Sequence, residues 1–144
     1  MVLVDTSVWI ELFAGRPIPQ VKILETLVKE KADICVCGII LTEVLQGIRM
    51  EKEYKKTKGL FESLIFLPMT YATFVKSAEI YRYLRRRGIT IRNPVDCLIA
   101  SVAIEHGIPL LHNDRDFDRI EKHFGLSPIH KIGRKPVAQA DRKG

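Results

Sequence analysis

Asp5, Glu43, Asp96 and Asp114 are the residues of this chain whose types and positions point most directly to chemistry. They are far apart in sequence. Asp5 ends the apolar run Val2-Leu3-Val4, and Asp114 follows the apolar run Ile108-Pro109-Leu110-Leu111. Asp96 lies in the first turn of a strongly signalled helix, and Glu43 lies near the start of another. Carboxylates gathered in one place repel one another unless a cation holds them together, and an all-oxygen set suits a hard cation, Mg²⁺ or Mn²⁺. Such a centre suits metal-assisted hydrolysis of a phosphodiester. Two or three carboxylates would bind the ion and the others would hold its waters. Each acid also has a plainer role. Asp5 and Asp114 can be caps or turn formers, Asp96 can complement a helix dipole, and Glu43 can be an exposed helix residue. Four of them at one edge of a fold argue for a site.

Neighbouring residues add to the set. Ser7 can hydrogen-bond a carboxylate or cap the first helix. Asp116 can reach the site, whereas Asp118 fits the first turn of the last helix. His112 can act as a general base or as a structural histidine. The four histidines form no zinc-binding H-x-x-x-H pair, and the chain has no G-x-S-x-G elbow, P-loop or G-x-G-x-x-G.

The elements that must position these groups alternate between short apolar runs and helical periodicity, which predicts a parallel sheet with helices on its faces. Strands are expected at Val2 to Asp5, Ile34 to Cys37, Leu64 to Pro68 and Ile108 to His112, with a short one near 126–129. A short helix runs through Val8, Trp9, Leu12 and Phe13 and ends at Gly15 and Pro17. Apolar stripes mark further helices through Ile18 to Val28, Leu41 to Ile48, and Phe74 to Leu84, the last capped by Thr70 and closed by Gly88. The charged stretch Glu51 to Ser63 also reads as helical. The clearest helix covers 94–106, with Asn93 as N-cap, Pro94 at the first helical position and Gly107 as C-cap. Another covers 115–123. In open α/β sheets ligands bind beyond the carboxyl ends of the strands. Asp5 and Asp114 sit at two such ends, and the helices carrying Glu43 and Asp96 start at that edge.

At 144 residues and 47% apolar content, one domain with a sizeable core is expected. No apolar stretch approaches the roughly 20 residues that span a bilayer. The start, Met1-Val2-Leu3-Val4-Asp5, does not resemble a signal peptide, so a cytoplasmic location is expected. Cys35 and Cys37 alternate along a strand and Cys97 lies in a helix, a pattern of free, partly buried thiols. The net charge is +6, and Lys131, Arg134, Lys135, Arg142 and Lys143 against Asp141 give residues 127–144 a net +4 of it. Residues 131–144 lack apolar periodicity and read as a flexible basic tail. Two further basic groups, Arg49, Lys52, Lys55, Lys56 and Lys58, and Arg82, Arg85, Arg86, Arg87 and Arg92, can meet a nucleic-acid backbone or form solvated helix faces.

Four segments taken together resemble a known family: Val4-Asp5-Thr6-Ser7-Val8-Trp9-Ile10, Leu41-Thr42-Glu43-Val44, Val95-Asp96-Cys97-Leu98-Ile99-Ala100 and Leu111-His112-Asn113-Asp114-Arg115-Asp116-Phe117. In content and order they are similar to the PIN-domain ribonucleases, and most similar to the VapC-type toxins of toxin–antitoxin pairs, over about residues 1–130. The resemblance implies a three-layer α/β/α sandwich around a parallel sheet. It implies a Mg²⁺- or Mn²⁺-dependent endoribonuclease leaving a 5′-phosphate and a 3′-hydroxyl. It also implies a homodimer neutralised by a VapB-type antitoxin. Asp5, Glu43, Asp96 and Asp114 match the four acidic positions, and Asp116 matches a further acid, which makes Asp5, Asp96, Asp114 and Asp116 the expected metal ligands. His112 departs from the pattern, standing where a small hydroxyl residue is frequent. A haloacid-dehalogenase-type phosphohydrolase using Asp5 would want a second Asp where Ser7 stands. A non-catalytic PIN-like module binding RNA or protein is the other alternative, and an intact acidic quartet argues against it.

Overall fold

A computed structural model describes residues 1–126. Four strands, β1 (Val2–Val4), β2 (Ile34–Cys37), β3 (Ile65–Leu67) and β4 (Leu110–Leu111), pair in parallel in the order β3-β2-β1-β4. Leu3 lies opposite Cys35 on one side and Leu110 on the other. Every residue of β1, β2 and β4 is buried, which is why these strands read as unbroken apolar runs and not as alternating ones. Edge strand β3 exposes Ile65 and Phe66.

The connecting helices are α1 (Thr6–Phe13), α2 (Pro19–Lys29), α3 (Gly38–Gln46), α4 (Glu51–Glu62), α5 (Tyr71–Arg86) and α6 (Val95–His106), with α7 (Arg115–His123) after β4. The chain steps one way across the sheet from β1 to β3, then returns to lay β4 on the far side of β1. Right-handed crossovers put α1 to α4 on one face and α5 with α6 on the other. The result is the three-layer α/β/α sandwich. The strand order reverses between β1 and β4, and the carboxyl ends of those two strands bound the crevice that such a reversal opens. A continuous core fills the layers, with Leu3, Trp9, Leu24, Ile40, Ile80, Leu84, Ile99, Leu110 and Phe117 among its fully buried side chains.

Several boundaries shift from the sequence reading. β1 stops at Val4, because Asp5 turns out of the sheet to cap α1. β4 is shorter than 108–112; Pro109 has no N–H to give a ladder, although its carbonyl still accepts from the Leu3 N–H at 3.0 Å. In α6 Pro94 occupies the cap position, with helical φ of −57°, and Asn93 Oδ1 still accepts from the Val95 N–H at 3.2 Å. The capping work is done one residue earlier than the helix boundary, and Asp96 becomes the second helical residue, not the third. Gly88 and Gly107 both have positive φ, +77° and +61°, as helix-ending glycines require. Cys35, Cys37 and Cys97 are free and buried. No helix among the described residues is long and apolar enough to cross a membrane. The tail expected at 131–144 lies outside the described residues, and so does the strand expected near 126–129 apart from Leu126.

Candidate active site

The acids reach one place because four different local structures end there. Asp5 caps α1 in extended backbone geometry, and its Oδ2 accepts from the Ser7 N–H at 2.9 Å. The Asp5 N–H donates to the Leu111 carbonyl at 2.9 Å, which joins the end of β1 to the end of β4. Asp114 caps α7 in the same way, its Oδ1 accepting from the Asp116 N–H at 2.9 Å. The capping role therefore does not exclude a chemical one. A capping carboxylate uses one oxygen on the helix and keeps acceptor capacity for the crevice. Asp96 enters from the first turn of α6. Glu43 enters from α3 past its first turn, not near the helix start as its sequence position suggested, because α3 already begins at Gly38, and it is held by a 2.7 Å hydrogen bond from Thr6 Oγ1.

Asp96, Asp114 and Asp116 form the tightest group, each offering a carboxylate oxygen within 4.8 Å of the others. Asp5 and Glu43 stand outside that trio, but their charges act on Asp96. Asp5 is 4% exposed, Asp96 7% and Asp116 1%. Burial first, then the charges of Asp5, Asp114, Asp116 and Glu43, push the Asp96 carboxyl up to about 8. Burial likewise raises Asp5, hydrogen bonds from the hydroxyl and N–H of Ser7 pull it part of the way back, and Glu43 raises it further. Asp96 Oδ2 is buried with no hydrogen-bond partner. An orphaned buried carboxylate oxygen costs several kcal/mol (order of magnitude) unless a cation or proton meets it. Three carboxylates that each offer an oxygen to one small space fit a hard divalent cation.

Around these acids the loops are tied down. Ser7 Oγ accepts from the Asn113 N–H at 3.0 Å, which pins the segment after β4 to the start of α1. His112 Nδ1 accepts from the Asp114 N–H at 3.3 Å, and Nε2 lies 2.7 Å from Glu121 Oε1. Accepting at Nδ1 leaves Nε2 to carry the proton. His112, packed on Phe117, thus braces the site and does not point a free nitrogen into it. Asp118 sits in the first turn of α7 and is exposed.

The sequence reading missed two roles. It left Thr6, which orients Glu43, unremarked. It grouped Arg92 with arginines that could meet a nucleic-acid backbone, whereas the structure places Arg92 on the acids: its N–H donates to Asp116 Oδ2 at 3.0 Å and its Nη2 to Asp114 Oδ1 at 3.3 Å. A basic residue four positions before Asp96 at a helix start was the available signal.

Residues 2–123 match the PIN domain family. The chain is 40% identical over 128 residues to ribonuclease VapC11 of Mycobacterium tuberculosis, covering 88% of this chain and 96% of that protein. It is 33% identical over 132 residues to ribonuclease VapC1 of Methanocaldococcus jannaschii, covering 90% and 88%. Among solved structures, the DNA-bound VapBC of Salmonella typhimurium shares the fold with a TM-score of 0.71 at 22% identity, covering 89% of this chain and 96% of that one. The chain belongs to the PIN domain family.

Proposed function

We propose that this PIN-domain protein is an endoribonuclease, the toxin of a toxin–antitoxin pair, and that its cleavage depends on Mg²⁺ or Mn²⁺. Relatives named as VapC ribonucleases, which align over nearly their whole length, support RNA cleavage. The observation that carries the metal dependence is the orphaned Asp96 Oδ2 beside the carboxylates of Asp114 and Asp116.

Asp96, Asp114 and Asp116 would hold the ion, with the charge of Asp5 acting on Asp96 beside them. When bound, the ion supplies Lewis-acid stabilisation of the charge that develops on the scissile phosphate. The chain's own residues do the rest. Thr6 fixes the Glu43 carboxylate so that it can orient an attacking water or take its proton. Ser7 and His112 hold the segment carrying Asp114, so that the oxygens are arranged before substrate arrives. Exposed basic residues on α4, among them Lys52, Lys55 and Lys56, can attract the RNA backbone. The proposal extends to a VapB-type antitoxin as partner, since solved structures of similar fold include VapBC complexes, and to a homodimer, as the family resemblance implies.

Incubating the purified chain with RNA tests this reading. Cleavage should stop in EDTA, return with Mg²⁺ or Mn²⁺, and leave 5′-phosphate ends that a 5′-phosphate-dependent exonuclease digests. Cleavage that persists in EDTA would exclude the metal role, and 5′-hydroxyl ends would exclude the proposed water attack.

A further inference from the structure

Arg92 lies between α5 and α6, outside any regular element. Its side chain is 74% exposed, yet it faces a carboxylate that is only 2% exposed. The backbone N–H donates to Asp116 Oδ2 at 3.0 Å, and Nε lies 3.6 Å from the same oxygen. Nη2 lies 3.3 Å from Asp114 Oδ1. The backbone contact anchors the segment, so the guanidinium is the movable part. Two of the other arginines in its sequence group are engaged elsewhere, Arg85 over Tyr81 and Arg87 over Tyr83.

Asp114 and Asp116 are two of the three carboxylates in the tight oxygen group; Asp96 is the third, and its Oδ2 has no hydrogen-bond partner. The guanidinium hydrogen-bonds Asp114 and ion-pairs with both acids, but it leaves Asp96 Oδ2 without a partner. A divalent ion held by the three carboxylates would share Asp114 and Asp116 with the arginine. Two cations on the same carboxylates repel, and the flexible, exposed one is the one that gives way.

We propose that the Arg92 side chain is a resident competitor of the site's divalent cation: it pairs with Asp114 and Asp116 until the ion displaces it, and so lowers the ion's affinity. The proposal rests on the reading of these carboxylates as a metal site.

The test is calorimetric titration of the full chain with Mn²⁺ and with Mg²⁺, without RNA, for wild type, Arg92→Gln, Arg92→Met and Arg16→Gln. Every variant at position 92 keeps the backbone N–H that holds Asp116, so the segment stays anchored. Both substitutions should tighten Mn²⁺ binding about threefold to tenfold, the scale of one or two partly exposed ion pairs, and the gain should shrink in high salt. Arg16→Gln removes the same charge from the exposed pair with Glu11 and should leave affinity within about twofold. Unchanged or weaker Mn²⁺ binding by both Arg92 variants, folded by circular dichroism, overturns the proposal. An equal gain in Arg16→Gln also overturns it, because the effect would then be one of net charge. No uptake of Mn²⁺ by wild type or by either Arg92 variant overturns the metal-site reading together with the proposal. A wild type that binds, beside Arg92 variants that bind no better, rejects the competitor role alone.

Discussion

Helix α7 borders two groups of ionisable side chains that a count of residue types would not separate. One is Asp96, Asp114 and Asp116; the other is His112, Asp118 and Glu121, and both place their oxygens and nitrogens within 4.8 Å. The second group is internally settled, since a 2.7 Å bond joins His112 Nε2 to Glu121 Oε1 and Asp118 is exposed to water. The first is unsettled. It has three carboxylates, two of them buried, one oxygen without a partner, and an arginine that reaches two of the three. Proximity of acids therefore does not mark a site; uncompensated burial does. His112 links the groups, because its other nitrogen accepts from the Asp114 N–H. The settled group braces the unsettled one.

Paired substitutions can break this contrast. The largest effect should be on RNA cleavage: Asp96→Asn should lower it at least about a hundredfold, the size of a lost metal or charge-stabilising term. Glu121→Gln should lower it less than about threefold, as expected of a residue that only supports a positioning histidine. Equal losses in the two variants, measured as initial rates on one RNA, would show that the clusters do not differ in kind.

The next effect is on stability against pH. In the folded protein Asp96 sits at about 8, raised from an ordinary carboxyl value of 3.8. Between those values the folded state holds a proton that the unfolded state has released. Stability from this group is therefore full below the unfolded value and is lost as pH rises towards 8. In EDTA, wild type should melt about 5 °C or more lower at pH 8 than at pH 5, and Asp96→Asn should remove most of that slope. Asp96→Asn should also melt above wild type in EDTA at neutral pH. Mg²⁺ should raise the melting temperature of wild type and of Glu121→Gln more than that of Asp96→Asn. A wild-type melting curve that is flat with pH would mean that Asp96 is not held protonated by burial and its neighbours.

A smaller change tests the brace. His112→Ala removes the acceptor for the Asp114 N–H and the packing on Phe117. Urea unfolding should show a loss of about 1–3 kcal/mol, with cleavage reduced but well above that of Asp96→Asn. Cleavage as low as in Asp96→Asn, in a folded protein, would give the imidazole a chemical role.

The smallest effect lies away from both groups. Lys31 has a φ of 56°, left-handed for a non-glycine residue, at the end of α2. Lys31→Gly should raise stability by about 0.5–1 kcal/mol and leave the Mg²⁺ response unchanged. A shifted Mg²⁺ response would show that strain at this remote turn is coupled to the site.

Much of this was legible in the chain. The strands β1, β2 and β4, buried on both faces, must be continuous apolar runs, so Val2-Leu3-Val4, Ile34 to Cys37 and Leu110-Leu111 stood out. Helices α5 and α6 announced their ends through Gly88 and Gly107, whose positive φ other residues resist. Asp5, Asp96, Asp114 and Asp116 stood out because each is placed by a local rule, as a cap or first-turn residue, and local rules act over a few neighbouring positions; Glu43 lies past the first turn of α3 and has no such rule. Boundaries such as Pro94 at the cap of α6 were less legible, because one or two hydrogen bonds decide them.

The sequence by itself determined that the chain alternates strands and helices, that Asp5, Asp96 and Asp114 stand at the ends of elements that open on one edge, and that Asp116 follows close behind. Only the tertiary structure decided which of those acids share an ion-sized space, that Asp96 and not Asp114 carries the unpartnered oxygen, and that Arg92 turns towards the acids. The order β3-β2-β1-β4 decided the first, by setting the end of β4 against the end of β1. Burial decided the second, because solvent reaches Asp114 but not Asp96 Oδ2. The third depended on a backbone bond between Arg92 and Asp116, 24 positions apart. Spacing along a chain carries no record of contacts made at that distance, because they exist only once the layers have packed.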